Sequence, residues 1–315
     1  MDGLFIIDKP VGITSHDVVN RVRRIAGTRR VGHAGTLDPF ATGVLLVCVG
    51  KATRLSQFLA GLDKEYIGTV RFGFATDTQD VTGKPNTPFV ASDELSIDEL
   101  RKTLGLFIGP QTQLPPMYSA KKIAGRRLYQ AARAGEEVDR TEASITVMAI
   151  EPVDAAAGLR SNPDGTRDLD IRVRCSSGTY VRTLAHDIGG RVGTGAHLAA
   201  LRRTAVGEFG IAAASPLDEL GQLAEVDQSV LAAKLLTPSE ALAHLPAIVI
   251  SPSEVRDVEN GREISSEAST GWDAARHGVQ ETAFVRLCDS AGRLVAVGQY
   301  RAGGTTVQPR VVLKT

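Results

Sequence analysis

Residues 31–50, "VGHAGTLDPFATGVLLVCVG", set one acid and one imidazole among glycines, directly before an uncharged apolar run. Val44 to Val49 is short and rich in β-branched residues, so it reads as a buried strand. Gly32, Gly35 and Gly43 permit close approach of a ligand or of another strand. Pro39 pushes Asp38 towards extended backbone. Asp-Pro is also a common turn or helix start, with the acid as cap. A carboxylate held on a loop before a rigid strand is equally a candidate nucleophile or base. His33 could support a substrate there, and as a lone histidine it also reads as structural.

Working outward, "GLFIIDKPVGITS" reads as a strand, a turn, and Ser15 as N-cap of a helix. That helix buries Val18, Val19, Val22 and Ile25 and stops at Gly27. "KATRLSQFLAGL" reads as a short helix ending at Gly61. "KEYIGTVRFGFAT" alternates like a strand, with Tyr66, Gly68, Val70, Phe72 and Phe74 on one face. "TDTQDVTGKPNTP" reads as a polar loop, and Ser96 caps a helix with an acid-rich first turn. "ASITVMAIEPVDA" and "LDIRVRC" supply further strands, and a helix follows Gly178. The basic segment 111–140 opens on Pro115-Pro116 and carries a short helix over Leu128 to Gly135 with little to bury. From about residue 241 short alternating runs, with a "DSAGR" hairpin turn, predict a small barrel-like β unit. The expected division is therefore 1–240 and 241–315.

The chain has 315 residues, enough for one large and one small domain. No stretch of about 18 apolar residues is present, so no membrane span is expected. The N-terminal stretch, with Asp2 and Asp8, does not read as a signal peptide. Cys48, Cys175 and Cys288 are far apart and predict buried free thiols, with neither a disulfide framework nor a metal site. Formal net charge is zero, with 36 basic and 36 acidic residues, yet the charges are segregated. Basic side chains concentrate in 1–60, 121–140 and 171–203, and acids in 77–99 and 208–240. If the basic segments share a face, that face attracts a polyanion; scattered, they are simply solvated.

"GHAGTLDPFATGVLLVCVGKATR" closely resembles the central motif of the TruB family of tRNA pseudouridine synthases. "DKPVGITSHDVV", "KEYIGTVRFG", "PPMYSAKKIAGRRLYQAARAG", "CSSGTYVRTLAHDIG" and "HLAALRRTAVGEF" resemble its other motifs, in order, from about residue 3 to 210. The last 75 residues resemble the family's RNA-binding tail (PUA type) only loosely.

The resemblance implies an α+β fold: a mixed, mainly antiparallel sheet with a central RNA-binding cleft, followed by the small β unit. It implies isomerisation of the uridine at position 55 in the T-loop of tRNA, without cofactor or metal. The catalytic aspartate maps onto Asp38, acting as nucleophile or as base, and the arginine that pairs with it onto Arg182. Tyr66 is expected to stack on the flipped base, Tyr180 to assist proton transfer and Leu201 to line the pocket. His33 is expected to occupy the space the flipped base vacates, and Lys9 with Pro10 to support the loop. Lys121, Lys122, Arg126 and Arg127 are expected on RNA phosphates as the insertion closes over the T-arm. A cytoplasmic monomer is expected. Three other readings stay open: an RNA-folding protein without catalysis, the RNA-guided branch of the superfamily, and a glycosidase-like hydrolase. The last would want paired carboxylates, and no second acid near Asp38 in sequence suggests one.

Overall fold

The structure, a computed structural model, describes residues 1–118, 139–154, 156, 158–265, 283–301 and 306–313, with the backbone of 122–123 and 126–127. The apolar run after Gly43 becomes β3 (Thr42–Val49), buried on both faces along most of its length. It pairs antiparallel with β1 (Gly3–Lys9) on one side and with β2 (Val31–Ala34), and parallel with β11 (Ala196–Val206) at Arg202↔Thr42 and Arg203↔Gly43. Beyond β11 the 11-stranded sheet continues through β4 (Lys64–Phe72), β10 (Arg167–Cys175), β8 (Ala143–Pro152) and β5 (Gly109–Gln113). It is mixed and mainly antiparallel, as expected.

Helix α1 (Ser15–Ile25) lays Val18, Val19 and Val22 on Phe5, Ile7, Leu45 and Val47. Its N-cap is Thr14 rather than Ser15: Thr14 and Asp17 form a capping box. Ser15 is committed elsewhere, to Leu37, as described below. The short helix after β3 starts as a 3₁₀ turn, Gly50–Leu55, before α2 (Ser56–Ala60). α3 (Ile97–Gly105) is capped by Ser96. α4 (Val181–Arg191) packs Val181, Leu184, Ala185 and Ile188 into the cluster that holds Tyr66, Val70 and Phe72. Phe74 falls beyond β4 and stacks on His197 instead of continuing the strand face.

A second, five-stranded sheet forms at the C-terminus and curls as half a barrel, in the order β14 (Ala247–Val249), β16 (Phe284–Cys288), β17 (Leu294–Tyr300), β18 (Thr306–Val312) and β15 (Ile264–Ser265). It is hydrogen-bonded as its own unit, but it is not a free-standing one. Cys288, Leu294, Val297, Val311 and Leu313 share one core with Leu4, Ile6, Val44 and Leu46 of the large sheet. Arg286 donates to the backbone oxygens of Leu245 and Ser239, and Phe58 meets Phe284 edge-on. All three cysteines are buried and free, and burial pushes the Cys48 thiol up to about 12. Among the described residues no helix is long and apolar enough to cross a membrane.

Candidate active site

Asp38 lies in the loop between β2 and β3, and that loop is fastened from several sides. Ser15 Oγ donates to Leu37 O (3.1 Å) and accepts from Leu37 N (2.9 Å). Lys9 Nζ donates to Ile13 O (2.7 Å), Pro10 O (2.9 Å) and, at 3.5 Å, Pro39 O. The Gly12 N–H also reaches Pro39 O. Arg203 donates to Gly35 O and Thr36 O. Gly43 has φ 102, and a Cβ there would sit 2.2 Å from Arg203 O, so β11 requires glycine at this position. Gly32 shows neither a positive φ nor a close neighbour, so the close approach of another strand is seen at Gly43 and not at Gly32.

Arg182, in the first turn of α4, aims into this loop. Its Nε is 3.0 Å from Asp38 Oδ2 and its Nη2 is 3.5 Å from Asp38 Oδ1. The same guanidinium places Nη1 3.0 Å from Asp80 Oδ2 and 3.2 Å from Thr78 O, and Nη2 2.9 Å from Tyr118 O. Asp80 belongs to the segment read as a polar loop, and it supplies the second carboxylate that the sequence did not suggest. The loop reaches the site because Val81 N and Leu198 O, and Leu198 N and Gln79 O, pair at the bulge of β11. Gln79 has φ 63, and Thr183 Oγ1 donates to its side-chain oxygen. Burial drives the Asp38 carboxyl above the ordinary range and Asp80 adds to this; Arg182, Lys9 and Arg203 oppose it.

Asp38 and Arg182 open onto a cavity of about 200 Å³ whose wall includes Tyr66, Tyr180, Leu201, Lys64 and Arg203. Tyr66 comes from β4 and Leu201 from β11, both 8% exposed. Tyr180 precedes α4 and is gripped through its backbone by Gln113, whose side chain accepts from Tyr180 N (2.8 Å) and donates to Tyr180 O (3.1 Å). Lys64 Nζ donates to Ala60 O and Leu62 O, and burial lowers its pKa to about 8. Five of the residues singled out in the sequence, Asp38, Tyr66, Tyr180, Arg182 and Leu201, therefore meet around one space.

The others stand apart from it. Lys9 is fully buried behind the loop, its pKa lowered to about 8 by burial against the pull of Asp38. His33 is half-buried on β2 opposite Val47, outside the cavity wall. Lys121 and the basic helix over 128–135 lie outside the described residues; of Lys122, Arg126 and Arg127 only the backbone is described, as a two-strand hairpin. Arg140 Nη1 donates to Pro115 O and joins the two ends of this insertion. The sequence reading missed Asp80, Gln113, Lys64, Arg203 and the true role of Ser15. A cluster of hydroxyls around an acid, as in "DTQDVT", was the one local signal for Asp80.

Two family models together match residues 23–243: that of the TruB family pseudouridylate synthase N-terminal domain over 23–181, and the tRNA pseudouridylate synthase B C-terminal domain over 182–243. The chain belongs to the TruB family. It is 44% identical to the tRNA pseudouridine synthase B of Thermobifida fusca over 99% of this chain and 98% of that one. It is 46% identical to the enzyme of the same name from Opitutus terrae over 76% of this chain and 96% of that one. Among solved structures, it resembles a chain of an H/ACA ribonucleoprotein bound to a substrate RNA containing 2′-deoxyuridine. That match has TM-score 0.72 and 25% identity, covering 99% of this chain and 85% of that chain. TruB membership accounts for the order of the motifs along the chain, and those around Asp38, Tyr66, Tyr180 and Leu201 meet at the cavity.

Proposed function

We propose that the protein converts the uridine at position 55 of the tRNA T-loop to pseudouridine, with Asp38 as its catalytic carboxylate. The observation that carries this is the Asp38–Arg182 ion pair at a nucleobase-sized cavity walled by Tyr66 and Leu201. A uridine inside a folded loop must leave its stack to be reached. Tyr66 and Leu201 then offer it an apolar, aromatic bed. The N1–C1′ bond breaks, the uracil turns in place, and a C5–C1′ bond forms. The C5 proton leaves and N1 gains one, so the product is an isomer. Asp38 drives the first step from its ionised form, by addition or by taking a sugar proton, and Arg182 favours that form. Tyr180 is assigned the proton transfer at C5, and His33 the space vacated by the flipped base.

The same proposal extends to partners. Lys121, Lys122, Arg126 and Arg127 meet T-arm phosphates, and Tyr118, at the root of that insertion, supports this by touching Arg182. Residues 1–240 carry the chemistry, and 241–315 add a PUA-like RNA-binding surface. The protein works as a cytoplasmic monomer.

The test is pseudouridine formation in an unmodified T-arm transcript, wild type against Asp38→Asn, with RNA binding measured in parallel. Activity in the wild type, and its loss in the variant with binding kept, is the expected result. Full activity in Asp38→Asn would return Asp38 to a turn cap. A wild type that binds but never isomerises would make the protein an RNA-folding helper.

A further inference from the structure

Arg203 heads the largest fully buried side chains of the described residues, at 1% exposure. Its guanidinium donates to backbone oxygens rather than to a carboxylate: Nε to Val44 O (2.7 Å), Nη1 to Thr36 O (3.3 Å) and Nη2 to Gly35 O (3.2 Å). Burying a guanidinium without a hydrogen-bonded carboxylate is costly, and an apolar side chain would fill the volume at lower cost. The charge and the planar fork therefore need a reason. The three acceptors supply one. Gly35 and Thr36 enter the Asp38 loop, and Val44 leaves it. One rigid group spans both ends of the loop, from a strand whose own backbone presses on Gly43. The guanidinium also contacts the Tyr66 side chain, and both line the cavity.

We propose that Arg203 is a positioning residue for the isomerisation, locking both ends of the Asp38 loop and the Tyr66 ring into one frame. The carboxylate and the stacking surface then keep a fixed separation while the base turns between them. This rests on the reading that Asp38 acts on a uridine stacked on Tyr66. Lysine cannot replace the fork, because one ammonium does not reproduce three coplanar donor directions.

The experiment uses the full chain and an unmodified T-arm transcript. Single-turnover rate, RNA Kd, melting temperature and the acid limb of the pH–rate profile are measured for wild type, Arg203→Lys, Arg203→Gln and Asp38→Asn. The single-turnover rate of folded Arg203→Lys should fall roughly 10- to 100-fold, as for a small misplacement of reacting groups. Its Kd should change less than about 3-fold. Asp38 is faced by Arg182, Lys9, Arg203 and Asp80. Arg203→Gln removes one of three cations, so its acid limb should move to higher pH while that of Arg203→Lys stays nearer the wild type; a structural residue whose charge does not reach Asp38 would not move it. A folded Arg203→Lys with the wild-type rate overturns the inference, and so does an unmoved limb in Arg203→Gln. If neither Arg203 variant folds, Gly35→Ala decides. It strains a residue at φ 96 in the turn Arg203 holds, its Cβ staying 3.8 Å from Nη1. A slowed rate with Kd kept supports the inference, and a wild-type rate overturns it. Activity in Asp38→Asn would instead mean that the reading of the site had failed.

Discussion

Asp38 and Asp80 share one guanidinium, Arg182 standing 3.0 Å from each through different nitrogens. The two acids are unequal. Asp80 is 4% exposed; its Oδ1 accepts from Thr78 Oγ1, Thr82 N and Thr82 Oγ1, and its Oδ2 takes Arg182. Asp38 is 31% exposed and opens onto the cavity. Asp80 is anchored on every side, and Asp38 is the acid that faces the cavity.

Asp80→Asn keeps the shape and removes the charge that raises Asp38. The acid limb of the isomerisation rate should move to lower pH. The plateau should fall about 10-fold or more, because Arg182 loses a charged anchor worth roughly 1.5–3 kcal/mol. An unchanged pH profile in single-turnover assays would show that Asp80 and Asp38 are not coupled. Asp80→Ala breaks a buried pair and should destabilise by on the order of 3 kcal/mol in denaturant unfolding.

Asp38 also sets a trade between stability and chemistry. Its folded-state pKa lies above the unfolded one, because burial outweighs Arg182. Such a group stabilises fully below the unfolded pKa, and that contribution is lost as pH rises through the folded pKa. At neutral pH the ionised carboxylate is therefore a net cost. Asp38→Asn should melt higher than wild type at neutral pH, and the gain should shrink as pH falls into the ordinary carboxylate range. Thermal melts at several pH values read this directly, and a lower melting point at neutral pH would contradict it.

Ser15→Ala leaves Leu37 N–H and C=O without their buried partner. A loss of about 1–3 kcal/mol is expected from unsatisfied backbone groups. Because Leu37 precedes Asp38, the single-turnover rate should drop as well, with T-arm Kd nearly unchanged. Equal loss of rate and affinity would argue that the loop binds RNA rather than aiming the acid.

Arg286→Met should loosen β16 (Phe284–Cys288) from the segment that leads into the C-terminal sheet, since Arg286 ties Leu245 and Ser239 to that strand. A loss of about 1–2 kcal/mol is expected, read as a melting-point drop of a few degrees. Ending the chain at residue 243 should do far more. It strips Leu294, Val297 and Val311 from the core they share with Leu4 and Leu46, leaving an apolar face that aggregates. A monodisperse, stable 1–243 fragment would show that the shared core is dispensable.

Much of this was legible locally. The apolar run at 44–49, the alternation of β4, the valine stripe of α1 and the Ser96 cap each follow from short-range periodicity or capping. After residue 241 the alternating runs at 248–250, 283–287 and 294–300 lie on or within a residue of strands, whereas the run at 311–313 marks only the end of Thr306–Val312 and Ile264–Ser265 carried no local signal. Neighbouring hydroxyls were harder. Thr14 and Ser15 are both cap-type residues; Asp17, three positions on, completes a capping box with Thr14, and Ser15 instead hydrogen-bonds Leu37.

The sequence by itself determined where β1, β3, β4, β8, β10, α1 and α3 form, which motif resembles the family's central one, and that an arginine begins the helix after Gly178. These depend on the chain's own period, on proline and glycine, and on motifs read in order. Only the tertiary structure decided which distant groups meet that carboxylate. Arg182 stands 144 positions from Asp38 and 102 from Asp80, and no local pattern encodes such separations. They are set by the bulge of β11, which draws in the Asp80 loop, and by the parallel contact at Gly43, which seats Arg203 under Asp38. Burial then gives these charges their strength, since desolvation makes each nearby partner count, and burial is a property of the packed molecule alone.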